Sequence, residues 1–137
     1  MASLADDIAD LLEAQAIGTL GTDMFVGKEP AVDTLSILLL DVGGSAPNPL
    51  FARDFRDLQI VITGAVNGYS AAYNKAESIK NYLLGLDSQT VGTTVYFAFN
   101  MRSDITFVGY DSNDKPKFTL NFRIIVDSAS VGNRLSL

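Results

Sequence analysis

The chain of 137 residues has no histidine and no cysteine, and it has no tryptophan either. Histidine is the side chain that titrates near neutrality unaided and the commonest metal ligand, so its absence removes ordinary general-base and imidazole–metal chemistry. Without cysteine there is no thiolate nucleophile, no soft metal ligand and no disulfide scaffold. No apolar run approaches the ~20 residues needed to span a bilayer, so no membrane partner is expected. Positive charge is also scarce: ten Lys and Arg against sixteen Asp and Glu give −6 at pH 7. Such a surface repels phosphate, which rules against specific nucleic-acid binding yet suits a wall that DNA slides past without sticking. The start, Met1 to Asp7, lacks the basic opening of a signal peptide, so the chain is expected to be made and kept in a cytoplasm.

What is present reads as one domain over residues 1–127, followed by a tail, 128–137, without periodicity and expected to be extended or mobile. Apolar residues make up 47% of the chain, enough for a packed core. Residues 3–15 predict an amphipathic helix: Leu4, Ile8, Leu11 and Leu12 share one face, and Asp6, Asp10 and Glu13 the other. That acidic stripe faces solvent, or else a channel or a partner. Ser3 suits the N-cap, with Asp6 and Asp7 favourable in the first turn. Residues 19–26 are a weak strand candidate. Leu35 to Leu40 reads as a strand buried on both faces, and the Gly- and Pro-rich stretch from Gly43 to Phe51 as a loop. Residues 57–66 alternate as a half-buried strand, with Leu58, Ile60 and Ile62 on one side. A second helix over 69–86 carries the stripe Ala72, Ala76, Ile79, Leu83 and Leu86, stopped near Gly85. Three strands follow. Residues 93–101 place Val95, Phe97 and Phe99 on one face, and residues 104–110 carry Ile105 and Phe107. Residues 117–127 alternate from Phe118 to Val126, joined to their predecessor by a hairpin at Asp111–Pro116. The order α-β-β-β-α-β-β-β predicts an α+β fold, a mostly antiparallel sheet with two helices packed on one face.

No catalytic, cofactor or metal set emerges. Asp111, Asn113 and Lys115 resemble the opening of an EF-hand loop, but its glycine and final glutamate are missing, and a polar hairpin tip accounts for them. Gly64 to Gly68 lies between a strand and a helix yet matches neither phosphate-binding spacing. Asp54 and Asp57 read either as a carboxylate pair or, with Arg53 and Arg56 beside them, as an ion-pair edge. Leu50 and Phe51 precede Arg53-Asp54-Phe55-Arg56-Asp57, which is the pattern of an interface anchor with a charged rim. The alternative is that Leu50 or Phe51 folds into its own core. Thr119, Asn121 and Arg123 share the polar face of the last strand, where they meet water or a neighbouring subunit.

Taken together, these segments resemble the small tail-terminator, or tail-completion, proteins of long-tailed bacteriophages, often labelled minor capsid proteins. The resemblance runs from about residue 4 to 127. It lies in the helix Leu4-Ala5-Asp6-Asp7-Ile8-Ala9-Asp10-Leu11-Leu12, in Asp57-Leu58-Gln59-Ile60-Val61-Ile62-Thr63-Gly64, and in the helix from Tyr69 to Leu84. It is strongest in Gly109-Tyr110-Asp111 and Phe118-Thr119-Leu120-Asn121-Phe122-Arg123. Asn113-Asp114-Lys115 departs from the Gly-Arg pair expected at that turn. The resemblance implies a non-enzymatic protein of the virion, assembled in the host cytoplasm. It implies a hexamer that caps the tail tube, stops its polymerisation and meets the tail tube protein on one side and a head completion or connector protein on the other. DNA would pass through the lumen without specific binding. The competing expectation is a non-catalytic domain that binds a small ligand in an aromatic pocket lined by Phe97, Phe99, Phe107 and Phe122.

Overall fold

The structure is a computed structural model that describes residues 3–28, 32–127 and 133–135. Its first element, helix α1, spans Leu4–Ala14. Ser3 caps it in a reciprocal box: the Ser3 hydroxyl accepts from the Asp6 backbone N–H at 3.2 Å, and the Asp6 carboxylate accepts from the Ser3 N–H at 3.3 Å. A further free N–H of the first turn, that of Ala5, donates to the Asp41 carboxylate at 3.0 Å. Three strands follow, β1 (Met24–Val26), β2 (Ser36–Gly44) and β3 (Arg53–Thr63). After helix α2 (Tyr69–Leu83) come β4 (Gln89–Val91), β5 (Thr94–Tyr110) and β6 (Pro116–Asp127).

The strands form one six-stranded sheet in the order β1-β2-β3-β6-β5-β4. The sheet is mixed. The short β1 pairs with β2 in parallel, whereas β2–β3, β3–β6, β5–β6 and β4–β5 are antiparallel. Alternation fixes its inner side: Leu58, Ile60 and Ile62 of β3 join Phe118, Leu120, Phe122, Ile124 and Val126 of β6 in one buried cluster. The stripes of α1 (Leu4, Ile8, Leu12) and α2 (Ala72, Ala76, Ile79, Leu83) close the same cluster. The order of helices and strands is the expected one, but several segments differ.

The expected strands 93–101 and 104–110 are one strand of 17 residues, and β4, too short to show a pattern, was not foreseen. The joining is possible because β5 is repeatedly bulged, with register shifts at Tyr96/Ala98, Met101/Ser103, Ser103/Thr106 and Phe107/Gly109. The first shift also corrects the facing of Val95, Phe97 and Phe99: Tyr96 and Phe99 are buried, while Val95 and Phe97 are only half covered. The aromatic pocket is corrected with it. Phe99 and Phe122 are core residues, Phe97 lies under the Arg53 guanidinium at 4.7 Å, and Phe107 packs on Tyr69 and Phe118.

The strand foreseen at 57–66 runs from Arg53 to Thr63, so Arg53 to Asp57 are paired with β6 and are not part of a loop. Gly43 and Gly44 end β2 rather than opening the loop, which begins at Ser45. There the β2–β3 ladder breaks between Asp41 and Gly44, and Gly44 has φ 148; a Cβ on it would strike the carbonyl of Phe55. Helix α2 stops at Leu83, ahead of Gly85 at φ 74.

Candidate functional site

The face of the sheet opposite the buried cluster is the more exposed one. There Phe55, Gln59 and Val61 of β3 and Thr119, Asn121, Arg123 and Ile125 of β6 are exposed or only half covered. Asp57 is the exception on this face. Its carboxylate is 8% exposed and is held by three guanidinium N–H groups, Arg123 Nε at 2.9 Å, Arg123 Nη2 at 3.2 Å and Arg102 Nη1 at 2.8 Å. Asp57 and Arg123 are direct cross-strand partners in the β3–β6 register, so the pairing is set by the ladder itself. The Arg123 hydrogen bonds outweigh burial and keep the Asp57 carboxyl below the usual carboxylate range.

The other expected rim residues sit at the start of β3. Asp54 and Arg56 share the side of Leu58 and help line a groove of about 630 Å³ beside Ser3, Leu4 and the Asp41–Pro47 bend. The Asp54 carboxylate is as buried as that of Asp57. It accepts two bonds from Arg134, at 2.7 and 3.0 Å, and lies 3.5 Å from Arg56. Arg53 is half-buried. Both carboxylates are therefore committed to arginines of their own chain. Of the two readings of Asp54 and Asp57, the ion-pair edge is the one found, with Arg134, Arg123 and Arg102 as its main partners.

The loop before β3 keeps its apolar tip outward. Leu50 is 65% exposed and Phe51 is half-buried. The Asn48 side-chain oxygen accepts from the Leu50 N–H at 2.8 Å and the Phe51 N–H at 3.3 Å, which bends the loop around them. A piece of the tail lies alongside. Leu135 N–H donates to Leu50 O and Ala52 N–H donates to Leu135 O, both at 2.8 Å, so that Phe51 and Leu135 face each other in a parallel bridge. In the expected tail of 128–137, then, Asn133–Leu135 is docked; residues 128–132 and 136–137 lie outside the described ones.

Asp6, Asp10 and Glu13 are all exposed on α1. Asp6 belongs to the capping box, and Glu13 accepts from the Leu20 N–H at 2.8 Å. Sequence reasoning missed their neighbour Asp7, which is buried and accepts a hydrogen bond from the Tyr96 hydroxyl. Burial raises the Asp7 carboxyl above its ordinary value, the Tyr96 bond partly opposes this, and Asp10 and Asp6 add to the rise. An acid whose folded pKa is raised stabilises fully below its unfolded pKa and loses that contribution as pH rises through the folded one. Tyr96→Phe removes the bond that favours the charged form. It is expected to cost about 1–3 kcal/mol near neutral pH, and less at acidic pH, where Asp7 is protonated. Urea unfolding of both forms at the two pH values checks this; a cost independent of pH would contradict it.

The model of the family described as "Bacteriophage tail terminator protein" matches residues 11–128. The chain belongs to the bacteriophage tail terminator family. Its place is thus among structural proteins of the phage virion, in the tail. A solved structure, the virion of native gene transfer agent (GTA) particle, contains a chain with a similar fold. The TM-score is 0.72 at 18% identity, over 92% of this chain and 96% of that one. Among curated proteins nothing matches. The described residues of this tail terminator include no group of three or more acidic side chains placed to hold a metal, and no helix long and apolar enough to cross a membrane.

Proposed function

We propose that this tail terminator acts as a hexameric ring that caps the finished tail tube, stops its polymerisation and offers the opposite surface to a head completion or connector protein. Membership of the terminator family carries the reading. Two features of the fold support it. One face of the sheet is more exposed than the other, and the loop before β3 leaves Leu50 exposed and Phe51 half-buried; apolar residues held in a loop tied to the sheet suit a subunit or tube contact. The reading assigns Leu50 and Phe51 as anchors and Arg53, Asp54, Arg56 and Asp57 as their charged rim, with Asn121 and Arg123 as a second contact on the face of the sheet that carries Asp57. Asp54 and Asp57 serve by holding arginines in place. The role is non-enzymatic, with no cofactor.

Six copies at −6 each carry −36 formal charges. A negative lumen repels DNA and lets it pass without binding, and the exposed Asp6, Asp10 and Glu13 face is the proposed contributor. Duplex DNA should therefore show no sub-micromolar binding in ~0.15 M salt; tight binding in a filter or anisotropy assay would oppose the lumen assignment.

Phe51→Ala is expected to weaken association by about 1–4 kcal/mol while leaving the melting curve of the free protein nearly unchanged. Tails assembled with it should vary in length and fail to join heads. Electron microscopy of tails reads both effects, and native mass spectrometry together with imaging gives the copy number. A tail-bound number other than six would refute the ring.

A further inference from the structure

The segment Asn133–Leu135 contacts the 45–52 loop through both its backbone and the Arg134 side chain. Its backbone adds a short parallel strand to Leu50–Ala52 through two hydrogen bonds of 2.8 Å. The Arg134 guanidinium reaches past that strand. Its Nη1 donates to Asp54 Oδ1 at 2.7 Å, to Asn48 O at 3.3 Å and to Phe51 O at 3.5 Å, and its Nη2 donates to Asp54 Oδ2 at 3.0 Å. One side chain thus ties both ends of the apolar loop tip to the first turn of β3. A bidentate arginine–carboxylate pair has fixed geometry, and here the carboxylate is almost wholly buried, so the loop is held in one shape rather than merely attracted.

We infer that Arg134 is a positioning residue for assembly: the docked segment Asn133–Leu135 sets the conformation in which the loop presents Phe51 to a second copy of the chain. This rests on the ring reading above for what the loop meets, but not for the docking itself. Leu135 is 64% exposed and stands opposite Phe51 in the bridge, so the segment also enlarges the apolar surface at that contact. A loop already ordered before association forfeits less conformational freedom on binding, which is how a strap outside the interface core can govern affinity.

The test uses the full chain carrying Arg134→Gln, with Leu135→Ser as a second variant that keeps the guanidinium. Hydrogen exchange of the free protein is read at the Ala52 and Leu135 amides, and ring formation is read by native mass spectrometry and on purified tails. Arg134→Gln should speed exchange at both amides at least tenfold, leave the helices and melting temperature nearly intact, and raise the concentration needed for assembly about tenfold. Leu135→Ser should weaken assembly while leaving the Ala52 amide protected, because the strand hydrogen bonds use the backbone. Unchanged exchange in Arg134→Gln would overturn the strap. Faster exchange with unaltered assembly would overturn its part in assembly. If the unmodified protein forms no ring, the ring reading fails and the inferred assembly role falls with it, while the exchange contrast still decides whether Arg134 holds the loop.

Discussion

Phe118→Ala is expected to lower the unfolding free energy by about 3–5 kcal/mol, a large part of the ~5–15 kcal/mol that a domain of this size holds. Phe118 is 1% exposed and sits where the first turns of α2 meet β5 and β6. Three rings surround it at centroid distances of 5.0 Å (Tyr69), 5.8 Å (Tyr73) and 5.2 Å (Phe107). Truncation removes the shared partner of all three, so the loss exceeds the transfer of one ring to water and includes the void left between helix and sheet. The N-terminal half of α2 should exchange its amides faster. Phe118→Leu, which keeps most of the volume, is expected to cost less than about 1.5 kcal/mol. Urea unfolding with an unchanged m-value measures both; a small effect of the alanine variant would show that α2 can close onto the gap.

The second large effect is expected at Asp57. Asp57→Asn should cost about 2–3 kcal/mol at neutral pH, because it removes the acceptor of charge-assisted bonds from Arg123 and Arg102 on a nearly buried site. The cost stays below that of a fully buried broken pair because Arg102 is half exposed and can turn to water. Asp57 has a depressed folded pKa. Its contribution is therefore present above the unfolded value of about 3.9 and is lost as pH falls through the lower folded value. The gap between wild type and Asp57→Asn should accordingly close in acid. Asp7 has the opposite sign and gains as pH falls, so the two carboxylates tilt the stability curve in opposing directions. Paired chemical-denaturation curves from neutral to acidic pH resolve them, and a gap that persists in acid would contradict the assignment to Asp57.

Regular periodicity carried much of the architecture into the sequence. Ala72, Ala76, Ile79 and Leu83 gave α2, and the row from Phe118 to Val126 gave β6, because each stripe reports a single buried face. What stayed hidden was of two kinds. Bulges reset the alternation in β5, so a pattern read with a fixed period of two splits one strand in two and misplaces Phe97. The charged run at Arg53–Arg56 carries no alternating apolar pattern, and nothing local shows that Asp54 and Asp57 will meet arginines 80 and 66 residues away. The same distance in sequence concealed Tyr96 as the partner of Asp7, 89 positions apart. At the candidate site, the exposed apolar tip at Leu50 was legible from composition. The strap that shapes it was not, because Arg134 lies in a segment with no periodicity at all.

The long strand β5 has a further bearing on how the protein behaves before it is used. Past its short pairing with β4, which ends at Tyr96, its outer margin has no strand beside it among the described residues, a length that invites stacking of one chain on another into fibrous aggregates. Its successive register breaks roughen that margin and deny an incoming strand a straight row of donors and acceptors. Such an irregular border disfavours edge-to-edge association of free chains.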